Sequence, residues 1–304
     1  MTAVSISKIV KRYGKKKAVT TALHGISFEV QQGEIFGLIG PDGAGKTSLF
    51  RVLTTLLLAE EGTATVDGFD VVKDYKEIRK RVGYMPGRFS LYQDLTVKEN
   101  LEFFATIFNT SIEENYDLIK DIYSQIEPFK DRRAGKLSGG MKQKLALSCA
   151  LIHRPSVLFL DEPTTGVDAV SRKEFWDMLK RLKEQGITIL VSTPYMDEAG
   201  MCDRVALIQA GRILSIDTPQ GIVRQFGKKL LAVKAGQMLP LLQAVKEHVA
   251  VADAYPFGEY HHVVMKGDGR QELADYLTKK GFEFELKDAE PDIEDCFMGL
   301  MKEE

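Results

Sequence analysis

The sequence predicts an α/β fold built on a mostly parallel sheet, followed by a smaller α+β domain. Two observations carry that expectation. Three short apolar runs, at 35–39, 156–160 and 187–192, have the length and texture of strands covered on both faces, and segments with helical spacing separate them. After about Pro219 the apparent order becomes strand, helix, strand, strand, helix, strand, a split βαβ pattern. The expected domains are residues 1–217, with a helical insert at about 88–152, and residues 218–304. A chain of 304 residues is long enough for two such cores.

Composition narrows the function classes. With 44% hydrophobic and 28% charged residues the chain reads as an ordinary globular protein. Its 41 basic and 43 acidic residues leave no cationic surplus, so no nucleic-acid partner is expected. The local cluster Lys8, Lys11, Arg12, Lys15, Lys16 and Lys17 reads as a solvated turn. Three dispersed cysteines, Cys149, Cys202 and Cys296, argue against a disulfide frame or zinc site and fit a reducing compartment. No apolar run approaches the roughly 18 residues of a membrane span. The first residues are too polar, and too soon charged, for a signal peptide. A soluble, cytoplasmic chain is expected, with any membrane role arising through a partner.

Taken in order, residues 3–10 and 25–31 alternate as edge or half-buried strands do, and 63–66 reads as a strand ending in a turn at Asp67-Gly68. A charged helix at 76–81 leads to Val82-Gly-Tyr84-Met85. Thr96-Val-Lys-Glu99 is a capping-box pattern opening a helix through Phe108, and further helices are expected at about 112–127 and 139–152. The strand at 156–160 ends in Asp161-Glu162-Pro163; a helix at 170–184, a strand at 187–192, a helix near Asp197 and a strand at 204–208 follow. In the last domain strands are expected at 230–235, 251–257, 260–266 and 282–287, with helices at 238–248, 270–280 and 291–302. His261 and His262 are neighbours on one strand and face opposite ways, so they do not share a metal. Gly267-Asp-Gly269 reads as a plain turn.

The chemistry centres on the turn after 35–39. Gly40-Pro-Asp42-Gly43-Ala44-Gly45-Lys46-Thr47-Ser48 fits G-x-x-x-x-G-K-[ST] completely. Glycines let backbone N–H groups converge on phosphate oxygens at a helix N-terminus. Lys46 reaches the terminal phosphates, and the Thr47 hydroxyl suits Mg²⁺. Asp161 suits coordination of the same cation, directly or through water, and Glu162 is placed to orient an attacking water as catalytic base. Leu137-Ser138-Gly139-Gly140-Met141 adds a second anion-suited helix start, with Ser138 as its N-cap, between the phosphate loop and the acidic strand.

In these three stretches the sequence resembles the nucleotide-binding subunits of ABC transporters, over roughly residues 3–217, with Leu137 to Met141 as the signature. The resemblance implies a P-loop NTPase core with an antiparallel β subdomain and a helical insert, which binds ATP and Mg²⁺ and hydrolyses ATP. It implies head-to-tail dimerisation with a second ABC subunit, each signature helix capping the partner's ATP. It also implies a separate permease, which would hold the chain at the inner face of the membrane, as in exporters of this kind. Asp168 matches the loop that crosses the dimer interface, and Tyr13 the aromatic that stacks on adenine. Tyr84, Met85, Phe89, Leu91 and Tyr92 read either as a permease-docking surface or as packing beneath the insert. Three positions depart from the family pattern: Gly87 stands where the family has glutamine, Pro194 where it has the histidine that holds the γ-phosphate, and Met141 where it has the glutamine that ends the signature. Met141 and Asp42 are milder variants. The departures imply slow turnover, and keep open a nucleotide-gated regulatory subunit beside the exporter motor. A soluble ABC ATPase acting on ribosomes or DNA is disfavoured, since neither a second cassette nor a coiled-coil insert is present.

Overall fold

The first half of the chain alternates strands and helices in the order the residue pattern suggests. The computed structural model describes residues 1–14 and 19–302, so Lys15, Lys16 and Lys17 of the basic cluster lie outside the described residues. Strands β1 (Thr2–Tyr13) and β2 (Thr20–Gln31) pair antiparallel. Next come β3 (Ile35–Ile39), α1 (Lys46–Leu53), β4 (Glu61–Val66), β5 (Phe69–Asp70), α2 (Tyr75–Arg81) and β6 (Val82–Met85). The insert supplies α3 (Val97–Ile107), α4 (Tyr116–Tyr123) and α5 (Gly139–Leu151). The chain returns through β7 (Val157–Asp161), α6 (Ala169–Glu184), β8 (Thr188–Thr193), a 3₁₀ turn (Met196–Met201), β9 (Arg204–Gln209), β10 (Arg212–Asp217) and α7 (Pro219–Arg224).

Two sheets result, in the orders β2-β1-β4-β5 and β10-β9-β3-β8-β7-β6. In the second, β9, β3, β8, β7 and β6 run parallel and only β10 is antiparallel. Every residue of β3, β7 and β8 is buried, as strands covered on both faces must be. Phe28 stacks on Phe36 at 5.1 Å, tying β2 to β3, and Phe50 meets Phe159 edge-on at 5.5 Å, seating α1 on β7. Such pairs contribute about 0.5–1.5 kcal/mol beyond their area burial. They fix the helix that follows the glycine loop against the strand that ends in the two carboxylates.

Several local expectations hold for stated reasons. Thr96 accepts from Glu99 N at 3.1 Å and Glu99 accepts from Thr96 N at 2.7 Å, a complete capping box on α3. Ser138 caps α5 by accepting from Met141 N at 3.3 Å. Others differ. The helix expected at 112–127 is only α4, because Pro128 turns the end into a 3₁₀ segment, Glu127–Phe129. The helix near Asp197 is 3₁₀ throughout. Lys11 belongs to no solvated turn: it is buried, donating to Leu58 O at 2.7 Å and Glu60 Oε1 at 2.9 Å.

Backbone proximity divides the chain into two units, Met1–Pro219 and Gln220–Glu304. The second contains β11 (Leu230–Ala235), α8 (Met238–Glu247), β12 (Val251–Phe257), β13 (Tyr260–Met265), α9 (Arg270–Lys279), β14 (Phe284–Ala289) and α10 (Ile293–Leu300). Its sheet runs β12-β13-β11-β14, antiparallel throughout, the split βαβ arrangement. Leu241, Val245, Leu273 and Leu277 cover one face beside Leu231 and Val263. On the opposite face, fully buried Asp295 of α10 accepts from Tyr255 Oη at 2.7 Å and pairs with His262 Nδ1 at 2.6 Å. His261 instead bonds Met238 O at 2.7 Å, so the two histidines part ways across the sheet.

Candidate active site

Three parallel strands, β3, β8 and β7, lie side by side, and the loops at their C-terminal ends meet, where α/β sheets place their ligands. The glycines there are required by space. A Cβ on Gly40 would sit 2.1 Å from Ile208 O; one on Gly45, at φ 105°, would sit 2.5 Å from Ala22 O. No side chain caps α1, which begins directly after Gly45, so its first-turn amides are unclaimed by any side chain and suit an anion. Asp42 and Gly43 are exposed at the tip of the loop, while Ala44 is buried beneath it.

Lys46 is only 3% exposed, and its ammonium is satisfied on three sides. It donates to Gly40 O at 2.8 Å and Pro41 O at 3.0 Å, and lies 3.1 Å from Glu162 Oε1. Asp161, almost fully buried, accepts from Thr47 Oγ1 at 3.1 Å and Ser192 Oγ at 2.7 Å. Thr47 and Asp161 thus present hard oxygens side by side, a donor set that suits Mg²⁺ completed by phosphate oxygens and water. Among the described residues no group of three His, Cys, Asp or Glu side chains could hold a metal by itself. Glu162 stands at φ 51°, a left-handed conformation costly for a non-glycine residue. Its N–H is held by Ser192 O at 3.0 Å and Ser192 Oγ at 3.1 Å. No helix starts directly after Pro163; α6 starts at Ala169. The two carboxylates are therefore not a cap.

Tyr13, 39% exposed, donates to Ser48 Oγ at 3.1 Å, which brings its ring to the start of α1. Ser138 opens α5, with Leu137 buried and Gly139, Gly140 and Met141 in its first turn. Among the described residues no hydrogen bond joins that turn to the phosphate loop of the same chain. Gly139, Gly87 and Glu162 do line one cavity of about 170 Å³, with Phe89 and Gln143.

Comparison with known proteins decides what this arrangement is. The family model described as ABC transporter matches residues 23–165. A daunorubicin resistance ATP-binding protein of Streptomyces coeruleorubidus is 34% identical over 98% of this chain and 94% of its own length. A probable multidrug ABC transporter ATP-binding protein of Escherichia coli is 38% identical over 90% of this chain. The chain belongs to the ABC transporter family. It spans only 48% of the Escherichia coli protein's length. Among solved structures, an ATP-binding cassette dimer in a post-hydrolysis state with ADP and Pi is 25% identical, with a TM-score of 0.65 over 71% of this chain and 98% of that one. An ATP-binding subunit of an ABC transporter is 26% identical, with a TM-score of 0.66 over 74% and 93%.

The cassette's remaining positions can now be placed. Asp168 caps α6, accepting from Ser171 N at 3.0 Å and Val170 N at 3.1 Å. Those bonds, from Ser171 first, hold its carboxyl below the usual range. A Cβ on Gly87 would lie 3.0 Å from Asp161 O, so the loop after β6 packs against the end of the acidic strand, and a larger residue would require it to give. Pro194 follows β8 immediately and offers no donor.

Of the five apolar residues near the insert, Met85 and Leu91 are buried, whereas Tyr92 is 51% exposed and stacks edge-on with Phe103 at 4.8 Å. Tyr84, Met85, Leu91, Phe104, Phe108 and His153 line a cavity of about 420 Å³ between the core and the insert. Burial, and then the charge of Asp161, push the Tyr84 phenol up to about 12. Packing and an accessible apolar cavity therefore coexist here. Sequence reading missed Ser192, Arg172 and Glu198. Their contacts join segments far apart in the chain, and a serine ending an apolar strand carries no local mark.

Proposed function

We propose that this chain is the ATP-binding and ATP-hydrolysing motor subunit of an export transporter. The observation that carries the reading is the convergence of Lys46, Thr47, Asp161 and Glu162 on a glycine loop whose following helix has no side-chain cap. The loop amides and Lys46 bind the phosphates. Thr47 and Asp161 would hold Mg²⁺, which would supply neutralisation of phosphate charge. Glu162, fixed by Ser192, orients the attacking water once a phosphate takes its place beside Lys46.

A second copy or a related ABC subunit supplies the Ser138 turn in trans, and Asp168 lies at that interface. ATP binding closes the dimer, hydrolysis reopens it, and a permease lodged at the cavity lined by Tyr84, Leu91 and Phe104 converts the motion. Among the described residues no helix is long and apolar enough to cross a membrane, which fits a peripheral subunit held by that permease. The names of the drug-resistance and multidrug relatives favour an exporter. The second unit is proposed as an accessory domain.

Gly87 and Pro194 each remove a family donor, and losing one preorganised donor typically costs about 2–4 kcal/mol, or 10²–10³ in rate. The proposed turnover is accordingly slow. The same two positions favour a regulatory subunit as the second reading. Steady-state hydrolysis separates the two: a slow but measurable rate that Glu162→Gln abolishes, with Mg·ATP binding intact, supports the motor. An equal, measurable rate in the unaltered chain and the variant rejects Glu162 as the base, and no turnover in either favours the regulator.

A further inference from the structure

Pro194 offers no donor from its own position in the loop after β8, but hydrogen bonds tie the residues on either side of it. Thr193 O accepts from Gly40 N at 3.2 Å, so the residue before Pro194 is bonded to the phosphate loop itself. Thr193 Oγ1 accepts from Tyr195 N at 3.1 Å and donates to Glu198 Oε2 at 2.5 Å. Glu198 is 2% exposed, and its second oxygen, Oε1, is buried without a hydrogen-bond partner. Facing it at 3.9 Å is Arg172 Nε, likewise buried and unpartnered. The Arg172 guanidinium lies over the Tyr195 ring at 4.7 Å, and its NH1 reaches Asp197 Oδ2 at 3.4 Å. Arg172 sits one turn into α6, its N–H bonded to Asp168 O at 2.9 Å.

A buried carboxylate oxygen and a buried guanidinium nitrogen that face each other without bonding are each costly. A charge-assisted bond needs about 2.8 Å, so roughly 1 Å of approach would satisfy both. We propose that Arg172 and Glu198 are positioning residues: their closure into a bonded pair couples the Asp168 end of α6 to Thr193 and the phosphate loop. The closure does part of the aligning that a histidine at position 194 would do. The inference rests on the ATPase reading above. It requires no residue beyond those named and makes neither side chain a participant in bond-breaking.

The test uses the full chain with Mg·ATP, comparing Arg172→Ala, Glu198→Gln, the double variant and Arg172→Lys. Glu198→Gln keeps an acceptor for Thr193 and is the variant of choice should Arg172→Ala fail to fold. The expected result is a kcat about ten- to a hundredfold lower in each single variant. KM and the ATP Kd should stay within about twofold and the unfolding midpoint should change little. The double variant should be no slower than the slower single one, because both remove one contact, and Arg172→Lys should recover part of the rate. Unchanged kcat in both single variants, or additive losses accompanied by equal losses of ATP affinity, would overturn the coupling. Failure of the unaltered chain to bind Mg·ATP would instead remove the ATPase reading on which the coupling depends.

Discussion

Ser192→Ala is the sharpest test of how the carboxylates are held. The Ser192 hydroxyl is fully buried, donates to Asp161 Oδ1 at 2.7 Å and accepts from Glu162 N at 3.1 Å. Its removal leaves Asp161 with Thr47 at 3.1 Å as its remaining side-chain donor. Glu162 N–H keeps Ser192 O at 3.0 Å, so the backbone at Glu162 is weakened, not released. A hydrogen bond to a charged group contributes about 1.5–3 kcal/mol; at 2% exposure Asp161 cannot recover it from solvent. A loss of about 2 kcal/mol corresponds to a midpoint lowered by roughly 4–8 °C in a unit of this size. Thermal unfolding of the full chain reads that shift, and ATP turnover on the same sample should fall as Asp161 and Glu162 lose their fixed orientation. A midpoint within 1 °C of the unaltered chain, with full turnover, would refute the claim that Ser192 fixes the acidic pair.

Other expectations follow from single contacts. Pro194→His should raise steady-state turnover by about tenfold or more; equal rates would show that position 194 does not limit hydrolysis. Burial holds His153 down to about 4, partly offset by its bond to Val82 O. Its folded value lies below the unfolded one, so stability is unaffected above pH 6.5 and falls as pH drops from about 6.5 towards 4, by up to about 3 kcal/mol. His153→Gln should flatten that part of the pH–stability curve measured by denaturant unfolding, and an unchanged slope would contradict the assignment. Tyr255→Phe deprives fully buried Asp295 of a donor and should destabilise the second unit by about 1–3 kcal/mol. Hydrogen exchange localised to β12, β13 and α10 would register it; exchange confined to other elements would count against the network.

Where a structural cause is local, the sequence exposes it. Thr96 and Glu99 sit three residues apart and satisfy each other's backbone, so the start of α3 is visible in four letters. Continuous apolar runs mark β3, β7 and β8 because both faces are covered. The glycine loop shows for the same reason: space at Gly40, and space together with φ at Gly45, admit no other residue type. Strand β5 was unread because two residues carry no period, and β10 because it borders the sheet as an antiparallel edge after a tight turn.

The supporting shell of the site was illegible for a different reason. Ser192 meets Asp161, and Arg172 meets Glu198, only because the order β3-β8-β7 places one strand end between two others. No spacing in the chain encodes that adjacency. Gly87 is an intermediate case. Its missing side chain is plain in the sequence, but its packing against Asp161 O is not.

The most direct measurement is sedimentation of the Glu162→Gln chain with and without Mg·ATP, alone and with Ser138→Arg. With a second copy as partner, the account predicts a dimer that forms only with Mg·ATP and is lost when Ser138 is replaced. A chain that has no affinity for Mg·ATP, or that binds it and dimerises equally well without Ser138, would contradict it.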